Sequence, residues 1–119
     1  MTADRVHAHC LTLPGATHVV QWRGMHVFKI GPKMFAVMGP DRTNITFKCA
    51  NHDMAELLVE SGRAKWPPYL KMKAWVALEI GDVPEDELFE RISASYAVVR
   101  KSLTKVAQAA LPPYEDGKL

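Results

Sequence analysis

The sequence predicts one α+β domain, a two-layer sandwich with helices on one face of a mainly antiparallel five-stranded sheet, in the order α-β-β-β-β-α-β-α. The first observation is length, because 119 residues have room for one domain of ordinary size. The second is a series of short segments that alternate apolar and polar residues between turn residues, as antiparallel strands do. The third is a helical spacing of apolar residues in three further segments, which form a second layer over the sheet.

The first half of the chain is predicted to form one helix and then four strands. The helix covers residues 2–11 and ends at Pro14-Gly15, because proline cannot continue the backbone hydrogen bonds and glycine takes the turn. Gly31-Pro32, between the second and third strands, is the clearest hairpin signal. The four predicted strands are residues 17–22, 25–30, 33–38 and 43–48.

A second helix and a fifth strand are predicted to follow. Asp53 and Glu56 have the spacing of a capping box, so the helix begins there, and it ends at Ser61-Gly62. Residues 72–80 alternate in hydrophobicity and form the fifth strand.

The last predicted helix covers residues 84–103. Asp82 and Glu85 form a second capping box, and acidic residues at the start with basic residues at the end suit the helix dipole. The domain is predicted to cover residues 1–108, with residues 109–119 as a flexible C-terminal tail. The apolar face of this helix is Leu88, Ile92, Tyr96, Val99 and Leu103.

Charge is unevenly distributed along the chain. The whole sequence carries +2, from 15 basic and 13 acidic residues, which by itself does not imply a polyanionic partner. Residues 23–73 hold nine basic and four acidic residues, a net of +5, whereas residues 74–99 hold one basic and six acidic residues, a net of −5. The sequence therefore predicts an electric dipole rather than a uniformly basic molecule.

The side of the sheet without helices is predicted to be open to water and basic. Strand alternation points Val76 and Leu78 toward the helices and leaves Trp75 on the open side. Lysines contact phosphates and an indole ring stacks on a base, so this surface favours nucleic-acid binding. The predicted nucleic-acid-binding residues are Lys29, Lys33, Arg42, Lys48, Lys71, Lys73 and Trp75.

Two other interpretations of this surface stay open. Solvent-facing lysines also keep a sheet hydrated and its edges unpaired, with the Trp66-Pro-Pro-Tyr69 segment as a cover for Trp75. Alternatively, Trp66, Tyr69 and Trp75 form the contact surface of a protein-interaction or chaperone-like module, whose partner is another protein or a second copy of this chain. No membrane partner is predicted, because no apolar stretch is long enough to span a bilayer.

No catalytic, cofactor or metal site is predicted. His7 and His9 lie about 200° apart on a helix and so cannot share an ion. His18, His26 and His52 occur singly in different predicted elements. No nucleophile motif or phosphate-binding glycine loop occurs, so the chain is not expected to be an enzyme.

The protein is expected in the cytoplasm. Its first residues lack the basic and apolar regions of a secretory signal. Cys10 and Cys49 have no CxxC spacing, and in a reducing compartment both are most simply small buried apolar residues.

A series of short motifs, taken in order, carries a family resemblance. The motifs are Cys10-Leu-Thr-Leu-Pro-Gly-Ala16, Val27-Phe-Lys-Ile30, Lys33-Met-Phe-Ala36, Phe47-Lys-Cys49, Pro68-Tyr-Leu70, Trp75-Val76, Val83-Pro84, Glu87-Leu88 and Ser95-Tyr96. Together they resemble the MmcQ/YjbR family. The resemblance implies a two-layer fold similar to secretion chaperones and frataxin-like CyaY proteins, and a DNA-binding role. It does not imply iron handling, because the first helix holds one acidic residue, Asp4, where an acidic ridge is needed.

Overall fold

The computed structural model describes residues 3–67 and 73–114, which form four helices and five strands. The helices are α1 (Ala3–Thr12), α2 (His52–Glu60), α3 (Glu85–Lys101) and α4 (Lys105–Ala109). The strands are β1 (Ala16–Gln21), β2 (Met25–Ile30), β3 (Lys33–Met38), β4 (Asn44–Lys48) and β5 (Trp75–Glu79). The predicted fold class and element order are confirmed, with α4 as an additional short helix.

All five strands belong to one antiparallel sheet in the order β1-β2-β3-β4-β5. Gly31-Pro32 joins β2 to β3, and Gly31 takes a φ of +58°, a conformation that glycine adopts without strain. β4 and β5 are neighbours although α2 separates them in sequence, and Lys48 lies opposite Trp75. Because adjacent strands run in opposite directions, the end of β2, the start of β3, the end of β4 and the start of β5 share one end of the sheet.

The hydrophobic core lies between the sheet and helices α1, α2 and α3, with α2 contributing Ala55 and Leu58. α3 packs mainly against β3 and β4, and the ring of its Tyr96 meets the ring of Phe35 edge-on at 5.4 Å. α1 contributes Val6 and Cys10 to the same buried cluster. The predicted apolar face of the last helix is its buried face, since Leu88, Ile92, Tyr96, Val99 and Leu103 all belong to the core.

The second face of the sheet is not open to water as predicted. Strand alternation places this face on the side of the sheet away from the hydrophobic core. The residues in the middle of this face are nevertheless buried. The chain after α2 returns along the free edge of β5, where Lys65 and Ala77 exchange backbone hydrogen bonds. Alternation shows which side a residue faces and not what covers that side, so the sequence pattern could not predict this burial. The residues on this face with at most 2% exposure are Val27, Val37, Thr46 and Trp75.

Neither of the predicted capping boxes forms. α2 is capped by Asn51, whose side-chain oxygen accepts a hydrogen bond from the backbone N–H of Met54, so Asp53 lies inside the first turn. The residue before α3 is Pro84, and no side chain caps that helix. Glu85, the predicted partner in the second box, forms an ion pair with α1 instead.

The predicted tail of residues 109–119 lies partly outside the described residues. Within its described part, Leu111 and Tyr114 pack against the core, and Arg100 donates a hydrogen bond to the backbone oxygen of Pro112. The domain boundary at residue 108 stays a prediction. Among the described helices, none has the length and apolar composition needed to cross a bilayer.

Candidate functional site

Four lysines lie at one end of the sheet, and we call this set the lysine rim: Lys29, Lys33, Lys48 and Lys73. Antiparallel pairing places them there, because they lie near the end of β2, the start of β3, the end of β4 and the start of β5. The ammonium group of Lys33 also donates hydrogen bonds to the backbone oxygen and the hydroxyl of Ser102 after α3, at 3.3 and 3.0 Å. None of the four pairs with a carboxylate of the described residues.

A cavity of about 350 Å³ lies within the lysine rim, and we call it the rim cavity. It lies where β3 and β4 separate, because their pairing stops at Ala36 and Phe47. Beyond that point Ser95 of α3 bridges the strands: its hydroxyl accepts a hydrogen bond from the backbone N–H of Lys48 at 2.9 Å and donates one to the carbonyl of Phe35 at 2.7 Å. The cavity is lined by Lys33, Met34, Lys48, Trp75, Val99 and Ser102.

The prediction that Trp75 faces water is wrong, because its side chain is buried in the wall of the rim cavity. The indole Nε1–H is also buried and has no hydrogen-bond partner among the described residues. A buried donor without an acceptor costs about 1–3 kcal/mol, so it marks a place where a water or a ligand atom is needed. Trp75 therefore forms part of the cavity wall and does not present an open ring to a base.

The opposite end of the sheet carries acidic residues, and several of its cations form ion pairs. Arg5 of α1 binds Glu85 at 2.6 Å, and Glu87 lies between Arg63 and Arg91. The hydrogen bond from Arg5 holds the pKa of the Glu85 carboxyl below its usual range, and the one from Arg63 does the same to the pKa of Glu87. The lysine rim, by contrast, carries positive charge that the described residues do not neutralise.

The remaining predicted nucleic-acid-binding residues are Arg42 and Lys71. Arg42 lies between β3 and β4, at the end of the sheet opposite the rim, and its guanidinium pairs with Asp4 at 2.5 Å. Lys71 lies outside the described residues. The structure thus brings Lys33, Lys48 and Trp75 together and separates Arg42 from them.

The apolar patch predicted for a protein partner is reduced by the burial of Trp75. Trp66 is 44% exposed and stays available on the surface. Tyr69 lies outside the described residues. The described residues therefore do not favour this patch over the rim.

Three histidines from different elements meet beside the β1–β2 hairpin, and we call them the histidine cluster: His7, His18 and His26. One ring nitrogen of each lies within 4.8 Å of the others. Sequence reasoning missed the cluster because the packing of α1 over the hairpin creates it. A usable signal was present, however: the register pairs Val20 with His26 and His18 with Phe28, so both hairpin histidines lie on one face.

Both cysteines are free and buried. Burial raises the pKa of Cys10 to about 12, and burial also raises the pKa of Cys49. The two thiols are therefore protonated at neutral pH, where they are poor nucleophiles and poor metal ligands. This agrees with the prediction that they act as small apolar core residues.

Comparison with known proteins identifies a family and a fold. The family model described as YjbR matches residues 11–98. A crystal structure of the Deinococcus radiodurans protein DR2400, described as a DUF419 domain, is similar with a TM-score of 0.79 and 26% sequence identity. That similarity covers 98% of this chain and 93% of the other. No protein of curated function matches the sequence.

Proposed function

This chain belongs to the YjbR family, and from that membership together with the lysine rim we propose that it binds DNA through backbone phosphates. The DNA-binding role that the family resemblance implies requires a surface that attracts phosphates. The rim supplies four cations without carboxylate partners among the described residues, and the other end of the sheet is acidic. A charge distribution of this kind turns one end of the protein toward a polyanion.

The rim cavity is the observation that carries the proposal. It brings the side chains of Lys33, Lys48 and Trp75 to one cavity. A phosphate accepts charge-assisted hydrogen bonds from ammonium groups, so one backbone phosphate in the cavity pairs with both lysines. Lysines that only hydrate a sheet need no cavity, so the simpler interpretation leaves the rim cavity unexplained.

The arrangement of the rim cavity also determines whether the protein can distinguish one DNA sequence from another. Contacts to phosphates fix the position of a protein on DNA but carry no sequence information. Since the ring of Trp75 is buried, it is not available for stacking on a base. We therefore expect binding with little sequence preference and without catalysis.

The test is a titration of fluorescently labelled duplex DNA with the full-length protein, followed by anisotropy. The double substitution Lys48→Glu and Lys73→Glu replaces two cations of the rim by anions and is expected to weaken binding at least about tenfold.

Lys65→Glu is the matched control. It makes the same charge reversal at an exposed position outside the rim, where the pairing with Ala77 uses backbone atoms alone. Circular dichroism establishes that each variant is folded. Wild-type protein that binds no DNA, or a loss in the Lys65 variant as large as in the rim variant, would overturn the proposal. Rim-dependent binding to RNA but not to DNA would overturn it as well and assign the rim to RNA.

A further inference from the structure

We propose that the histidine cluster binds a divalent transition-metal ion of the zinc, nickel and copper class through His7, His18 and His26. The cluster lies toward the end of the sheet opposite the lysine rim, since His26 is near the start of β2 and Lys29 is near its end. The inference is therefore independent of DNA binding.

The backbone fixes the relative positions of the three ligands. His18 and His26 lie on one face of the β1–β2 hairpin, with Nε2 of His18 and Nδ1 of His26 3.0 Å apart. α1 places His7 over them, with ring centroids 4.6 Å from His18 and 6.3 Å from His26. Two strands of a hairpin and a packed helix thus direct one imidazole each toward a common point.

The nitrogen separations are close to those of a metal site. Tetrahedral zinc binds histidine nitrogens at about 2.0–2.1 Å, which places the nitrogens about 3.3 Å from one another. The three nitrogens here lie within 4.8 Å, so small side-chain rotations close the remaining gap. The hydrogen bond between His18 and His26 is then exchanged for two metal–nitrogen bonds.

The donor set determines which metals fit. Imidazole nitrogen suits zinc, nickel and copper, whereas magnesium and calcium prefer oxygen ligands. Burial, followed by the charges of Arg42 and His26, lowers the pKa of His7. Burial, followed by His7 and His26, lowers the pKa of His18. The neutral form of imidazole, which is the form that binds metals, is therefore favoured at both positions.

A cavity of about 480 Å³ beside the cluster leaves a coordination position open. Asp4 and Arg42 line this cavity and form an ion pair with each other. Their charges cancel, so the affinity of the site for a metal ion comes from the three imidazoles. Three histidines with a fourth position open to water is the pattern of reactive zinc sites, whereas structural zinc sites are closed by four protein ligands. The geometry thus allows a bound water or a small anion to complete the coordination.

The test is isothermal titration of the full-length, tag-free protein with Zn²⁺, together with the visible absorption spectrum after addition of Co²⁺. One ion per chain and a Co²⁺ spectrum of tetrahedral type are expected. The substitutions His7→Gln and His26→Gln are each expected to weaken Zn²⁺ binding at least about tenfold, since loss of even a supporting group around a metal costs that much. His52→Gln is the matched control, because His52 is exposed on α2 and belongs to no cluster of three ligands among the described residues.

Nitrogen-15 NMR of the imidazole rings tests the same site in the wild-type protein, so its result does not depend on whether the variants fold. In the wild-type protein, Zn²⁺ is expected to shift the ring nitrogens of His7, His18 and His26 and to leave those of His52 unchanged. Absence of saturable binding, shifts at His52 alone, or undiminished binding in folded His7→Gln and His26→Gln proteins would each overturn the assignment.

Discussion

Ser95 joins two layers of the fold with a single hydroxyl. Its side chain is fully buried, accepts a hydrogen bond from the backbone of Lys48 and donates one to the backbone of Phe35. It therefore takes the place of a direct hydrogen bond between strands where β3 and β4 separate, beside the rim cavity. Trp75 is the contrasting case, because its buried donor has no acceptor among the residues that the structure describes.

Ser95→Ala is expected to lower the free energy of unfolding by about 2–3 kcal/mol, because it leaves the buried carbonyl of Phe35 and the partly buried N–H of Lys48 without this partner. Ser93→Ala is the control in the same helix. Its hydroxyl makes a hydrogen bond with Nε2 of His9, and its loss is expected to cost about 1 kcal/mol. Urea denaturation followed by circular dichroism measures both, and equal losses in the two variants would contradict the bridging role.

At the scale of elements, the start of α2 shows that tertiary contacts determine which of two possible residues caps a helix. Asn51 and Asp53 are both residue types that cap helices. The chain leaves β4 at Cys49, whose backbone N–H donates to the carbonyl of Ala74 at 2.6 Å. That contact fixes where the chain turns away from the sheet, and Asn51 is then the residue with extended backbone before the helix.

Asn51→Ala is expected to reduce the free energy of unfolding by about 1 kcal/mol through loss of the cap. Asp53→Ala removes a carboxylate near the helix start and is expected to cost about 0.3–0.5 kcal/mol. Thermal and urea denaturation compare the two. The larger loss in the Asp53 variant would show that the capping box operates in solution.

At the scale of the molecule, the fold converts a charge pattern along the sequence into a dipole in space. Several arginines of the acidic end form ion pairs, including Arg5 with Glu85 and Arg42 with Asp4. The lysines of the rim lie at the other end, and Lys33 also meets the backbone oxygen of Ser102 at the end of α3, where the helix dipole is negative. The sequence predicted that the charges are separated, but not that they lie at opposite ends of the sheet.

If the four rim lysines each contact a phosphate, the logarithm of the DNA association constant is expected to fall with the logarithm of salt concentration with a slope of about −3 to −4. The substitutions Lys48→Glu and Lys73→Glu remove two such contacts and are expected to reduce the magnitude of the slope by about two. Anisotropy titrations over a series of salt concentrations give both values. A slope near zero would show that phosphates are not the groups recognised.

Much of the fold could be predicted because it follows from neighbouring residues. The bounds of β2 and β3 are those predicted, since Gly31-Pro32 requires a turn and alternation identifies the strands beside it. α4 was missed because five residues with none buried leave no helical pattern of apolar residues.

The candidate sites could be predicted in part. Lys48 and Trp75 were identified by residue type and face, Lys33 by its place in a flanking turn, and the three do meet. The exposure of Trp75 was predicted wrongly, because burial depends on what packs over a strand. The histidine cluster was missed because His7 is distant in sequence from the hairpin that it contacts.

The sequence by itself determined five strands and the first three helices, their order, the antiparallel sheet and the lysines along it, because turns, alternation and helical spacing act over a few residues. The tertiary structure alone decided that Trp75 is enclosed, that Arg42 lies apart from the lysine rim, and that three histidines share one point. These outcomes depend on how helices and loops pack on the sheet, and packing is set by contacts between residues far apart in the chain.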